Sequence, residues 1–296
     1  YGLEKNATTI RLAKMNLAVH GLEGDIQKAI TYYDDPHEMV GKADYVMANP
    51  PFNVDEIDAD KVKKDPRLPF GLPSVNKKGK VSNGNYVWIS YFYSYLNARG
   101  RAGFVMSSQA SSAGGGEAKV RQKLVETGDV DVMIAIRSNF FYTRTVPCEL
   151  WFLNRDKPKA HQDKVLMIDA RNVYRKVTRK IYDFSPEQQQ NLVAIVWLYR
   201  GQIDRYLGRV SGYCRRVLDE GAACFSTVDE RGEPVRPLPD FAEALDTLTA
   251  TLKPFLDTLG EGAAHAEVQQ ELEAALPAFH ADVASFQQAL AEQEAA

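Results

Sequence analysis

The sequence predicts an α/β fold: a doubly wound sheet with helices, followed by an α-helical C-terminal region. Three features point to it. Short apolar segments of strand character at 45–48, 102–106, 131–136 and 149–153 alternate with longer segments of helical period. One of those strands runs directly into Asn49-Pro50-Pro51-Phe52, at the strand end where open α/β sheets bind ligands. From Ser185 onward the alternation stops, and apolar residues recur at intervals of three and four. The predicted domains are 1–183, the sheet, and 184–296, the helical region.

Taken in order, Gly2-Leu3-Glu4 precedes a helical pattern carrying Ile10, Leu12, Ala13, Met15, Leu17 and Val19, stopped by His20-Gly21. An acidic residue between a strand and such a helix can accept hydrogen bonds from both ribose hydroxyls of a nucleotide cofactor, and Glu4 stands there. Residues 28–33 read as the next strand, ended by Asp34-Asp35-Pro36, so that Asp34 and Asn49 would end neighbouring strands on one rim. Residues 45–48 read as a short buried strand.

The turn after that strand is stiff. Pro51 keeps the residue before it out of the α region, and neither proline offers an N–H to a ladder. It presents the Asn49 side-chain oxygen, the Pro50 carbonyl and the Phe52 ring. Two acceptors beside a ring suit a planar group bearing an NH2. Ring stacking on a base is worth about 1–3 kcal/mol.

Residues 53–85 are rich in charge, Pro, Gly and Asn, with Lys61, Lys63, Lys64, Lys77, Lys78 and Lys80. They read as a long loop, either solvated or meeting nucleic-acid phosphates. An aromatic helix follows from Asn85 through Leu96, its Tyr and Trp residues read as core. Next come the strand at 102–106, a Ser/Gly-rich turn, a helix from Glu117 to Glu126, the strand at 131–136, an aromatic segment at 139–147, and the strand at 149–153.

Ser185-Pro186 is a good helix start. The helix after it carries Leu192, Ile195, Val196, Leu198, Tyr199, Ile203, Tyr206 and Leu207. Its basic side has Arg200, Arg205, Arg209, Arg215 and Arg216, a solvated face or a contact for DNA or a partner. Residues 229–240 read as a linker. Two amphipathic patterns follow at 245–259 and 268–290, interrupted by Pro254 and Pro277.

The chain has 296 residues, 45% of them hydrophobic, and a net charge of −3. That balance is unlike a free-standing DNA-binding protein. Cys148, Cys214 and Cys224 form no Cys-x-x-Cys pair and have no His cluster near them, so neither a metal site nor a disulfide framework is expected. No signal peptide and no membrane-spanning run is evident, and a cytoplasmic location is expected.

Asn49-Pro50-Pro51-Phe52 after a strand resembles the catalytic motif of S-adenosylmethionine-dependent amino-methyltransferases acting on adenine N6. Tyr1-Gly2-Leu3-Glu4, with Ala13-Lys14-Met15-Asn16-Leu17 and His20-Gly21, resembles the second motif of the methylation subunit of type I restriction–modification systems. The segment from Asn139 to Pro147 before Leu150-Trp151-Phe152-Leu153, and Ile168-Asp169-Ala170, resemble later parts of that family.

The resemblance implies a Rossmann-like methyltransferase sheet, with Asn49, Pro50, Pro51 and Phe52 catalytic. It implies S-adenosylmethionine held by Glu4 at the ribose and by Asp34 at the adenine amino group, Asp35 being the alternative. Phe52 and Phe141 would stack on a flipped target base, with Tyr142 second to Phe141. The implied partners are duplex DNA, a specificity subunit docked on the C-terminal helices and, optionally, a restriction subunit. The helices could instead form a self-contained hairpin or a homodimer.

The family's first strand and glycine-rich cofactor turn are expected upstream of Tyr1. Gly114-Gly115-Gly116 lies too far downstream to replace them. A chain starting at Tyr1 is therefore expected to be a fragment, binding the cofactor poorly and inactive alone. A protein-glutamine or RNA methyltransferase, and a non-catalytic scaffold, are the alternative readings.

Overall fold

The computed structural model describes residues 1–141 and 145–206, with isolated positions beyond them. The elements are β1 (Gly2–Glu4), α1 (Ala7–Val19), β2 (Ile26–Lys28), β3 (Ala43–Ala48), α2 (Ala59–Val62), α3 (Asn85–Tyr95), β4 (Leu96–Ser107), α4 (Gln109–Ser112), α5 (Gly115–Glu126), β5 (Val130–Ile136), β6 (Cys148–Asn154), β7 (Leu166–Asp169), β8 (Arg175–Lys176), β9 (Tyr182–Asp183) and α6 (Pro186–Tyr199). The chain divides into two compact units, Tyr1–Gln188 and Gln189–Ala296, the division falling within α6.

In the first unit, five strands form a mixed sheet in the order β3-β4-β6-β5-β7. β3 and β4 are parallel, β6 lies antiparallel between β4 and β5, and β7 is parallel to β5. The expected α/β class therefore takes the form of a mixed sheet. These directions bring the carboxyl ends of β3, β4, β5 and β7 to one rim. Asn49, Ser108, Arg137 and Ala170 all leave the sheet there. β1 and β2 form a separate parallel pair, and β8 and β9 an antiparallel one.

The core forms where α3 and α5 cover β4 and β6. Tyr86, Ile89 and Phe92 from α3 and Val120 and Leu124 from α5 close on Phe104, Met106, Trp151 and Leu153. α3 has buried residues around most of its circumference, so Tyr86, Tyr91 and Phe92 are core as expected, whereas Trp88, Tyr93 and Tyr95 are half-buried. Burial pushes the Cys148 thiol up to about 11, leaving it protonated at neutral pH.

Several expectations need correction. The strand expected at 28–33 ends at Lys28, and residues 30–34 turn back on themselves, with the Tyr33 and Asp34 N–H groups donating to the Ile30 carbonyl at 2.8 and 3.0 Å. β3 is present but not buried. Val46 and Ala48 pack inward, whereas Tyr45 is 79% and Met47 93% exposed. α1 likewise buries none of its residues.

Residues 53–85 are not a solvated loop. Ile57, Val62, Leu68 and Val81 are buried with Val87 and Tyr91 of α3 in a second apolar cluster. Gly116 lets this segment approach α5, because a Cβ there would lie 2.6 Å from the Ser74 backbone nitrogen. Lys63 and Lys80 are paired with Asp60 and Asp58.

In the second unit, Leu192 and Ala194 are buried, and Arg209 stacks on Tyr213. Leu207, Cys214, Arg215, Cys224 and nearly all of the two C-terminal amphipathic patterns lie outside the described residues. No helix among the described residues is long and apolar enough to cross a membrane.

Candidate active site

The sheet's carboxyl rim displays Asn49-Pro50-Pro51-Phe52. Pro50 is buried, whereas Asn49 and Pro51 are exposed. Neither the Asn49 side chain nor the Pro50 carbonyl is engaged in a hydrogen bond with any described residue. The turn thus presents two acceptors without internal partners.

Asn53, immediately after the turn, holds it rigid. Its backbone is left-handed (φ 57°), and two further asparagines lock it. The Asn53 N–H donates to Asn85 Oδ1 at 2.9 Å, while Asn53 Oδ1 accepts from Asn85 Nδ2 at 2.9 Å and from Asn83 Nδ2 at 3.0 Å. Asn83 Oδ1 in turn accepts from the Asn85 N–H at 2.9 Å. Asn85 is buried at the start of α3, so the clamp ties the turn to the core. Sequence reasoning gave these asparagines no role. The run Asn83-Gly84-Asn85 was the only available signal, and nothing local ties it to Asn53.

Asn85→Ala would strand the Asn53 N–H and remove a donor from Asn53 Oδ1. Asn53 is exposed, so each lost bond costs about 0.5–1.5 kcal/mol rather than the penalty of a buried orphan. The expected result is a lower melting temperature together with a lower turnover number, because the turn loses its anchor. Calorimetry and single-turnover kinetics on the same variant check both.

Beside the turn lies a cavity of about 660 Å³, within the range of small-molecule sites. Its walls include β1 from Gly2 to Glu4, β3 residues Ala43 and Tyr45 to Ala48, and Asn49 to Pro51. Among the described residues β1 pairs only with β2, and β3 only with β4, so the cavity is flanked by two strands that each have an unpaired edge. Ala29 to Tyr32, Asp35, His37 and Trp88 complete much of the remaining wall. No glycine-rich turn lines it among the described residues.

Three buried polar atoms without a hydrogen-bond partner lie on residues of this wall: Tyr32 Oη, Asp35 Oδ1 and Trp88 Nε1. Burial pushes the Tyr32 phenol up to about 12, an effect the Trp88 N–H beside it only partly offsets without reaching hydrogen-bond geometry. Orphaned buried groups are costly, and these three atoms are closed off from solvent within the wall.

Glu4 lines the cavity. One of its oxygens accepts from the Asn6 N–H at 2.8 Å, and the other makes no bond with the described residues. Asp34, expected to face the cofactor, does not line the cavity. Its carboxylate accepts from the Ile30 N–H at 3.2 Å, closing the turn. Asp35, the alternative, is the residue on the wall. His37 braces β1 through Nε2, 3.1 Å from the Gly2 carbonyl oxygen.

Behind this wall lies a residue that sequence reasoning missed. Arg67, 2% exposed, fastens the 30–35 turn. Its Nη1 donates to the Thr31 and Asp34 carbonyls at 2.8 and 3.1 Å and to Tyr95 Oη at 3.1 Å. Its Nε and Nη2 form a fork on Asp65 at 2.9 and 2.7 Å, and its guanidinium stacks 4.1 Å from the Tyr91 ring centroid. Burial opposes the Asp65 charge, but the Arg67 guanidinium and N–H override it and hold the carboxyl below the usual range.

Phe52 is half-buried against the main core. Phe141 is half-buried beyond β5, its ring 6.2 Å from that of Phe140. It does not line the cavity, and β3 and β5 stand three strand spacings apart, about 14 Å. The structure therefore places Phe141 on the same rim as Asn49 without bringing the two together. Tyr142 lies outside the described residues.

A family model described as N-6 DNA Methylase matches residues 1–220. The chain is 37% identical over 235 residues to the type I restriction enzyme MjaIX methylase subunit of Methanocaldococcus jannaschii, covering 78% of this chain and 39% of that protein. It is 32% identical over 189 residues to the HindI methylase subunit of Haemophilus influenzae, covering 63% and 41%. It therefore spans about two-fifths of the length of these curated relatives. Among solved structures, the type I restriction-modification methyltransferase subunit from Streptococcus thermophilus superposes with a TM-score of 0.59 at 23% identity, over 66% of this chain and 41% of that one. This last likeness bears on the fold.

Proposed function

Since the chain belongs to the N-6 DNA methylase family, we propose that it serves transfer of a methyl group from S-adenosylmethionine to N6 of adenine in duplex DNA. In this reading it is part of the methylation subunit of a type I restriction–modification complex. The observation that carries the reading is the pair of unengaged acceptors, Asn49 Oδ1 and the Pro50 carbonyl, on a clamped turn beside a cavity of about 660 Å³.

The adenine amino group has two hydrogens and one nitrogen lone pair conjugated with the ring. Hydrogen bonds to Asn49 and the Pro50 carbonyl engage both hydrogens, draw the lone pair out of conjugation and aim it at the cavity. Phe52 offers its exposed side as a stacking face. Reaching this turn requires the base to leave the duplex stack, at a cost of a few kcal/mol. Phe141, on the same rim, would meet the flipped nucleotide or its neighbour.

The cavity residues fit a nucleoside cofactor. The unengaged Glu4 oxygen would hold ribose hydroxyls, and the Asp35 carboxylate would accept from the adenine amino group. When bound, S-adenosylmethionine supplies a methyl group on a positively charged sulfur, already electrophilic. The protein's part is then positioning and electrostatics, with the proton leaving the amino group to solvent.

With a net charge of −3, the chain gains its hold on DNA from local basic surfaces and from partners. A specificity subunit that reads the target sequence, docked by the helical region at 184–296, and an optional restriction subunit complete the proposed assembly, in the cytoplasm.

The test is transfer of labelled methyl groups to unmethylated duplex DNA by the intact protein with its specificity partner, followed by nucleoside analysis. Label in N6-methyladenine is the expected result. Label in protein or RNA, with none in DNA, would overturn the assignment.

A further inference from the structure

We propose that the β8–β9 hairpin is a phosphate-binding arm that holds the DNA backbone beside the active site, with Lys176, Arg179 and Lys180 as its contacts. The proposal rests on the DNA-methylation reading and goes beyond it by naming the surface.

In a chain of net charge −3, residues 171–180 carry five cations and no acid. Two are internally neutralised. Arg171 pairs with Asp169 at 2.6 Å, and Arg175 forms a fork on Asp183 at 2.9 and 2.7 Å. Lys176, Arg179 and Lys180 are exposed, and their side chains make no hydrogen bond or ion pair with the described residues. Three uncompensated positive charges therefore project from one short hairpin.

The hairpin is held in place by contacts that its own strands could not supply. Strands of two residues do not stabilise themselves in water. Arg137, leaving the rim after β5, stacks on Tyr174 at 3.9 Å and on Tyr182 at 3.8 Å from the ring centroids. The Tyr182 N–H donates to the Asn139 carbonyl at 3.2 Å, Gln188 Nε2 donates to the Tyr174 carbonyl at 3.0 Å, and Phe184 packs on Phe140 with centroids 4.4 Å apart. The cations are thus presented from a braced platform, which lowers the ordering cost of binding a polyanion.

The placement fits the same substrate. The hairpin follows β7, whose carboxyl end shares the rim with Asn49, four strand spacings or about 19 Å away. Phe141 adjoins the Arg137 loop that seats it. A duplex delivering one base to Asn49 would have its backbone pass within reach of this arm. Phosphate contacts of this kind position the duplex without reading sequence.

The experiment replaces all three residues in the intact protein (Lys176→Gln, Arg179→Gln, Lys180→Gln), which keeps much of the aliphatic stems while removing the charge. Affinity for an unmethylated duplex is measured by fluorescence anisotropy from about 50 to 200 mM salt. Wild type and variant are compared in methyl transfer, cofactor affinity, melting temperature and assembly with the specificity partner.

The expected result is a salt slope smaller by about 2–3, since each phosphate contact contributes about 0.9. Low-salt affinity should fall roughly 10- to 100-fold, with cofactor affinity and melting temperature unchanged. An unchanged slope and affinity, in a wild type that methylates DNA, would overturn the arm and leave the DNA reading standing. Lost assembly with intact duplex binding would overturn it in favour of a protein contact. A wild type that neither binds nor methylates duplex DNA would overturn both.

Discussion

Replacing Asn49 with alanine is expected to lower the turnover number for methyl transfer about 10²- to 10³-fold, the cost of removing one preorganised hydrogen-bonding group from a reaction centre. The fold should be unaffected, because Asn49 is exposed and makes no hydrogen bond to the described residues. The backbone of the turn should also persist, since Pro50 and Pro51 stiffen it and the Asn53–Asn85 clamp anchors it. Cofactor affinity should change little, because the unengaged Glu4 oxygen and Asp35 sit elsewhere on the cavity wall. Asn49→Asp retains an acceptor and should keep more activity than alanine. Single-turnover kinetics, separated from DNA affinity and set beside a melting curve, check this. A parallel fall in melting temperature and rate would show that Asn49 acts structurally.

Replacing Arg67 with methionine should produce the largest loss of stability. Removing one partner of a buried ion pair typically costs about 3–5 kcal/mol, because the other charge stays buried without compensation. Here the Thr31 and Asp34 carbonyls and the Tyr95 hydroxyl lose their donor as well. In a unit of this size the loss corresponds to a fall in melting temperature of about 6–20 °C. Cofactor affinity should fall with it, because the released turn carries Tyr32 and Asp35 on the cavity wall.

The pair also has a pH signature. Asp65 is held below its ordinary value in the folded chain, so its contribution is complete above the unfolded carboxylate range. That contribution is lost as pH falls through the lower folded value. In Arg67→Met the guanidinium no longer opposes burial, and only the residue-67 N–H and the Tyr91 hydroxyl still favour the Asp65 charge, so its pKa rises relative to wild type. The stability gap between wild type and variant should therefore narrow on acidification. Calorimetry from neutral pH into the acid range checks the sign, and a gap that widens would rule out the ion pair as its source.

The Asn49–Phe52 turn was legible in the sequence because what it presents is local. Four adjacent residues supply the acceptors, the stiffness and the ring, and the strand before them places the turn on a rim. The alternation of β4, α5, β5 and β6 was equally legible, because hydrophobic period reflects which face each element buries. The lysine-rich composition of residues 53–85 concealed buried apolar residues, Ile57, Val62, Leu68 and Val81 among them, that fasten the segment to α3.

The sequence by itself determined the fold class, the Asn49–Phe52 turn and the kind of group it can grip, since these depend on residue type and on neighbours a few positions away. Tertiary structure alone decided that residues 30–34 turn rather than extend, that Asp35 and not Asp34 meets the cavity, and that Tyr45 and Met47 lie exposed. Tyr45 and Met47 are exposed because no described residue covers them. For the backbone, the physical reason is hydrogen-bond satisfaction at long range as well as within the turn. Arg67 reaches carbonyls 33 and 36 residues away, and Asn85 reaches Asn53 across 32, so the partner that fixes each backbone conformation is invisible in the local sequence it controls.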